Sequence, residues 1–166
     1  MASTQEDIGK ATAADLEGIL DLQAANQITR GGMLSAEFPR ARIEAMMHSM
    51  PLIVARREGR VTGFLMSTTR AMNADVPVIR AMFQAYAGAE DAYVYGPVCV
   101  GQEERGKGLA EAMFAELRRH EPGREGVLFI RADNEPSLRA HRRMGMREVA
   151  HFELNAARYL VFSYVG

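Results

Sequence analysis

The sequence is poor in cysteine, in lysine and in net charge, and the first and last of these shortages each close off a class of function. Cys99 is the only cysteine, so neither an internal disulfide nor a cysteine-based metal cluster can form, and no metal is expected. Within the apolar run "YGPVCV" it reads as a small buried hydrophobe. Twenty basic residues oppose 21 acidic ones, a net charge of −1. That balance supplies no field for holding a nucleic-acid duplex, and no nucleic-acid partner is expected. Lys10 and Lys107 are the only lysines, a bias toward arginine that carries no functional reading. No apolar run approaches the ~18 residues of a membrane span, and the opening "MASTQEDIGK" is too polar and acidic for a secretory signal. The expectation is a cytoplasmic protein with no membrane partner. Repeats, low-complexity tracts and linkers are also lacking, so residues 1–166 are expected to form one domain.

Hydrophobic periodicity gives the order of elements. "IGKAT" reads as an opening strand, and Thr12 as the cap of a helix "AADLEGILDLQAANQ" with an apolar stripe at Leu16, Ile19, Leu20 and Leu22. Paired glycines interrupt the pattern in "ITRGGMLS". A second helix, "SAEFPRARIEAMMHSM", follows with Ser35 as its cap. "PLIVARR" and "RVTGFLMSTT" form a hairpin around "REGR". After a short helix at Val78–Tyr86 come the strand "AYVYGPVCV", a helix "GKGLAEAMFAELRRH", a buried strand "GVLFIRA" and a helix "NEPSLRAHRRM". Two closing strands, "REVAHFEL" and "ARYLVFSYV", complete the chain. The order βααββαβαβαββ is α+β, with a mostly antiparallel first half and one βαβ crossover.

The crossover begins with "GQEERGKG", Gly101 to Gly108, one residue short of the nucleotide-binding P-loop. That loop needs a Ser or Thr hydroxyl for Mg²⁺ where this chain has Gly108. A Mg²⁺-dependent nucleotidase is a weakened reading; an ordinary turn is another. The third is an anion site without a metal, because a helix N-terminus offers free N–H groups and the positive end of a dipole. Gly106 and Gly108 would let a phosphate approach the backbone.

"RGKGLA" has Arg105, Gly108 and Ala110 at the defined positions of the pattern [RQ]-x-x-G-x-[GA], and so resembles the GNAT N-acyltransferase superfamily. A second match lies downstream. The family shows Asn, a small residue three on, Tyr seven on and Gly-Phe eleven and twelve on. This chain has Asn134, Ser137, His141, Gly145 and Met146 there, keeping the spacing while replacing the Tyr and the Phe. The resemblance implies a GNAT-type mixed, mostly antiparallel sheet of about seven strands with a central splayed pair, flanked by four to five helices. It implies acetyl-CoA as cofactor, lying between the strands at 92–100 and 126–132. Its pyrophosphate would sit on Arg105, Gly106, Lys107, Gly108, Leu109 and Ala110, and its pantetheine against the backbone of Val98 and Val100 and against Asn134 and Ser137. Gly96-Pro97 would be the bulge that opens the gap. The acceptor would be a small-molecule or peptide amine, and a homodimer is expected because the apolar last strand needs cover on its outer edge.

In the family the Tyr at position 141 is thought to protonate the departing thiolate. His141 could do so as imidazolium, with a reference pKa of ~6.5 against ~8.5 for a thiol, giving a bell-shaped pH profile. It could equally be a satisfied core histidine between Leu138 and Met144. The strand at 92–100 carries no carboxylate to act as base, which leaves Tyr95, Tyr93, Glu90 and Asp91 as candidates. Asn134 could also be only a helix cap, and Lys107, Arg139, Arg142 and Arg143 a solvated face. The expected function is direct transfer of acetyl from acetyl-CoA to a primary amine, the alternative being a non-catalytic acyl-CoA binding or sensing module.

Overall fold

In the computed structural model, which describes residues 6–32, 34 and 36–166, seven strands and five α-helices follow the expected order. The strands are β1 (Asp7–Lys10), β2 (Ile53–Arg57), β3 (Arg60–Thr68), β4 (Tyr93–Val100), β5 (Glu125–Arg131), β6 (Arg147–Leu154) and β7 (Ala157–Val165). The helices are α1 (Leu16–Ala25), α2 (Arg40–Ser49), α3 (Pro77–Ala85), α4 (Leu109–His120) and α5 (Glu135–Arg143). The sheet order is β1-β2-β3-β4-β5-β7-β6. β4 and β5 form a parallel pair whose register covers only Tyr93 with Gly126 and Val94 with Val127. Both hairpins close on two residues in the left-handed region, Glu58-Gly59 and Asn155-Ala156, the geometry that matches strand twist. No helix among the described residues is long and apolar enough to cross a membrane.

The chain divides into two compact units, one comprising residues 1–67 and 96–120, the other 68–95 and 121–166. In the first, α4 packs on β1 and β2, and the Met113 side chain lies against Gly63, where a Cβ would come within 3.1 Å of it. Asp15, 4% exposed, anchors this unit. It accepts from Arg56 Nε at 2.7 Å and Nη2 at 2.6 Å, and from the Thr12 amide at 2.8 Å. Thr12 is the N-cap, as expected, and Asp15 completes a capping box: its carboxylate, held by the half-buried Arg56, accepts from the Thr12 amide. In the second unit, Ile79 and Met82 of α3 pack with Ala92, Val94, Val127 and Val161.

Several expectations shift. The stripe of α1 buries Leu16, Ile19 and Gln23, whereas Leu20 and Leu22 are only half-buried. Gln23 is buried because its amide pairs with both backbone groups of Phe38, donating to the carbonyl at 2.6 Å and accepting from the N–H at 3.1 Å. The second helix begins at Arg40, after Pro39, since proline disfavours helical backbone at the residue before it. The cap expected at Ser35 lies outside the described residues. α4 begins at Leu109, since Gly106 and Gly108 take φ of 81° and 76°. The last strand has no outer edge to cover: β7 runs between β5 and β6, so the argument for a dimer through it falls.

The Arg56 hydrogen bonds hold the Asp15 carboxyl below its ordinary value. A depressed native pKa contributes stability that is complete above the unfolded value of about 3.9 and is lost as pH falls through the native one. Urea unfolding from pH 7 to pH 2 should therefore show stability falling below about pH 4. Asp15→Asn should be less stable at pH 7 and should flatten that limb.

Candidate functional site

The residues singled out in the sequence fall into two groups, one in each unit. In the first unit, β4 continues past Gly96, where φ of 105° departs from strand geometry, and Pro97, which has no ladder donor. Val98 and Val100 are half-buried and Cys99 is buried. Burial pushes the Cys99 thiol up to about 12, which removes it as a nucleophile.

The loop that follows is tied down at three places. The Gly101 amide donates to the Thr62 carbonyl at 2.8 Å. Arg105 Nη2 donates to Asn26 Oδ1 at 3.1 Å. The buried Glu104 carboxylate accepts from Arg57 at 2.6 Å and Lys107 at 3.1 Å. Burial alone would raise the Glu104 pKa, but the Lys107 hydrogen bond and the Arg57 charge hold it below the usual range. The Lys107 ammonium thus fastens the loop, and what it offers an anion is its backbone. Glu104 was not singled out in the sequence, although its basic partner three residues on was a readable signal. Gly106 and Gly108 need glycine for their positive φ; their Cβ directions face open space. Leu109 and Ala110 open α4, whose first amides have no partner within the helix.

In the second unit, Asn134 caps α5, its side-chain oxygen accepting from the Ser137 amide at 3.3 Å. One helical turn later His141 is 4% exposed. Its Nδ1 lies 2.8 Å from the Ser137 carbonyl and 3.2 Å from the Ser137 hydroxyl. A carbonyl only accepts, so Nδ1 carries the proton, and Nε2 is left as the acceptor for the Tyr95 hydroxyl at 3.1 Å. The two rings meet edge-on with centroids 5.5 Å apart. Burial lowers the His141 pKa, the Ser137 bond only partly opposing it, and burial raises that of Tyr95. This bonding fits a neutral phenol donating to a neutral imidazole.

Tyr95 is flanked by Tyr164 at 5.8 Å between ring centroids, and the Tyr164 hydroxyl is bonded to that of Tyr93. Tyr164 reaches this position because residue 126 is glycine. A Cβ there would lie 2.3 Å from its ring. No group of His, Cys, Asp and Glu that could hold a metal ion occurs among the described residues.

A sequence model of the acetyltransferase (GNAT) family matches residues 21–146. Comparison with curated proteins gives no significant sequence match. The fold resembles that of NAA60 from Arabidopsis thaliana, solved in complex with acetyl-CoA, with a TM-score of 0.70 at 18% identity over 97% of this chain and 99% of that one. It also resembles Ard1 from Thermoplasma volcanium (TM-score 0.70, 15% identity, 96% of this chain and 97% of that one). A third similar structure is the ribosomal-protein-S18-alanine N-acetyltransferase from Escherichia coli (TM-score 0.67, 10% identity, 97% and 94%). At these identities the likeness establishes a shared fold.

The hydrogen-bond pattern of His141 is directly observable. Nitrogen-15 spectra at pH 7 should show a neutral ring protonated at Nδ1, titrating below the reference value of about 6.5. In Tyr95→Phe the Nε2 resonance should move, because that nitrogen loses its donor.

Proposed function

The chain belongs to the acetyltransferase (GNAT) family, and from that premise we propose how it transfers an acetyl group from acetyl-CoA to an amine. The loop supports a pyrophosphate site at the backbone of Arg105 to Ala110, where glycines at positive φ lead into a helix N-terminus. Its charged side chains are largely spent on fastening, so the amides do the binding. The pantetheine arm would lie along the backbone of the half-buried Val98 and Val100, beyond the break at Gly96, and Ser137, bonded to His141 and to the Asn134 cap, borders the catalytic pair. The acceptor is a peptide or small-molecule amine that attacks the thioester directly. Catalysis rests on positioning and on polarisation of the thioester carbonyl.

One observation carries the mechanistic reading: the 3.1 Å bond between the Tyr95 hydroxyl and His141 Nε2. The family resemblance assigns the proton donor for the leaving thiolate to position 141, where this chain has lost the phenol. Tyr95 brings a phenol from β4 into contact with the residue that replaced it. The amine nitrogen forms its bond to the acetyl carbon, the carbon–sulfur bond breaks, and the Tyr95 proton goes to sulfur. The proton released by the newly acylated nitrogen restores the phenol. His141 Nε2 accepts the hydroxyl hydrogen at rest and so positions the phenol; that hydrogen turns from Nε2 to sulfur as the carbon–sulfur bond breaks.

Two expectations follow. Gly108→Val forces a β-branched side chain into the left-handed region and should abolish the rise in melting temperature given by acetyl-CoA. An undiminished rise would remove the loop from the cofactor site. With an amine panel and detection of free thiol, Tyr95→Phe should lower turnover by about tenfold or more with little change in acetyl-CoA affinity. His141→Phe should do the same, and the double variant should be no worse than either alone, since the pair acts as a unit. The pH profile should rise as the amine and His141 become neutral and then stay level to about pH 9, because the raised phenol pKa keeps the donor protonated. A falling limb near pH 7 would return the role to an imidazolium.

A further inference from the structure

The segment between β3 and β4 contains a pocket of about 330 Å³ lined by Arg70, Arg80, Asn73, Ala74, Phe83 and Gln84. None of these belongs to the loop at 101–108 or to the Tyr95–His141 pair. Two positive charges line it and no acidic side chain does. Among the described residues neither guanidinium has an ion pair within 4.0 Å. The Glu125 carboxylate feels the charge of Arg70 but is saturated by neutral donors: the Tyr86 hydroxyl at 2.7 Å, the Ala89 amide at 2.6 Å and the Ser163 hydroxyl.

Arg70 is the unusual member. Its guanidinium carbon lies 3.9 Å from the centroid of the Phe83 ring, which sets the plane of the group. Nε and Nη2 are shielded from solvent and have no hydrogen-bond partner among the described residues. A buried donor without an acceptor carries its full desolvation cost, and native structures leave few of them without a reason. The two atoms are also the pair whose N–H bonds point the same way, the edge of arginine that grips an oxyanion through two parallel bonds. Arg80 and Gln84, which line the same pocket, are exposed and Phe83 is only half-buried.

We propose that this pocket is a binding site for a small oxyanion, a carboxylate or phosphate, held bidentately by Nε and Nη2 of Arg70, with Arg80 supplying the second charge. The ligand satisfies both donors and neutralises a cation that has no ion pair within 4.0 Å among the described residues. Asn73 frames the site without competing for the anion. Its amide nitrogen is already committed to the Thr68 hydroxyl at 2.7 Å and the Thr69 carbonyl at 2.8 Å.

The test uses the whole chain titrated with succinate, inorganic phosphate and chloride at matched ionic strength, followed by calorimetry and by the Arg70 Nε–H resonance. Succinate or phosphate should bind saturably and shift that resonance, and chloride should do neither. The arm that binds more tightly identifies the source of the oxyanion. Arg70→Lys keeps the charge but loses the two-pronged edge, and should weaken binding about tenfold or more. Arg70→Gln should abolish binding, and Arg80→Gln should weaken it severalfold. The proposal is overturned if neither oxyanion moves the Nε–H resonance of the unaltered protein, or if Arg70→Lys binds as the unaltered chain does. The resonance is read on the native sequence, so the outcome stands even if a variant fails to fold.

Discussion

A backbone N–H has one hydrogen to give, so it serves a neighbouring strand or a ligand but not both, and β4 changes character along its length under that constraint. At Tyr93 and Val94 it is a buried parallel strand in register with β5. At Gly96 the backbone leaves strand geometry, and Pro97 brings no donor. Beyond that point the strand leads into a loop whose side chains are tied down while its glycines face open space. One strand therefore runs from a register shared with β5 into a loop anchored by the Gly101 amide. Tyr95, the last residue before the change, is where the phenol meets His141.

Buried carboxylates carry much of the positioning. Asp15 holds the entry to α1 through Arg56, Glu104 holds the glycine loop through Arg57 and Lys107, and Glu125 holds the segment after α3 through Tyr86 and the Ala89 amide. Each is charged, and in each the native contacts outweigh the burial that would favour the neutral form. The loops of this fold are secured by ionic and polar clamps where apolar contacts are too few to do so.

The order of elements was legible because the hydrophobic period changes wherever helix gives way to strand, and Gly108 and Asn134 at their spacings pointed to the site. What could not be read depended on contacts across the sequence. Nothing in "LEGILDLQAA" reveals that Gln23 is buried, since the reason is the backbone of Phe38. The bonding of His141 could not be read for the same reason. The Ser137 carbonyl four residues back is local, but the Tyr95 hydroxyl that completes the ring's bonding lies 46 residues away. The position of β7 inside the sheet likewise follows from its pairing with β5, which no local pattern announces.

Gly126 has a bearing on how this chain can change over time. Its missing side chain is the space that the Tyr164 ring occupies, and Tyr164 in turn touches Tyr93 and Tyr95. Neither position can drift alone: a larger residue at 126 collides with the ring, and a smaller one at 164 leaves a void beside two tyrosines. Among natural variants the two sites should be inherited together, as a glycine with an aromatic or as a bulkier residue with a small one. Such joint variation would trace the surroundings of Tyr95 through the residues packed behind its ring.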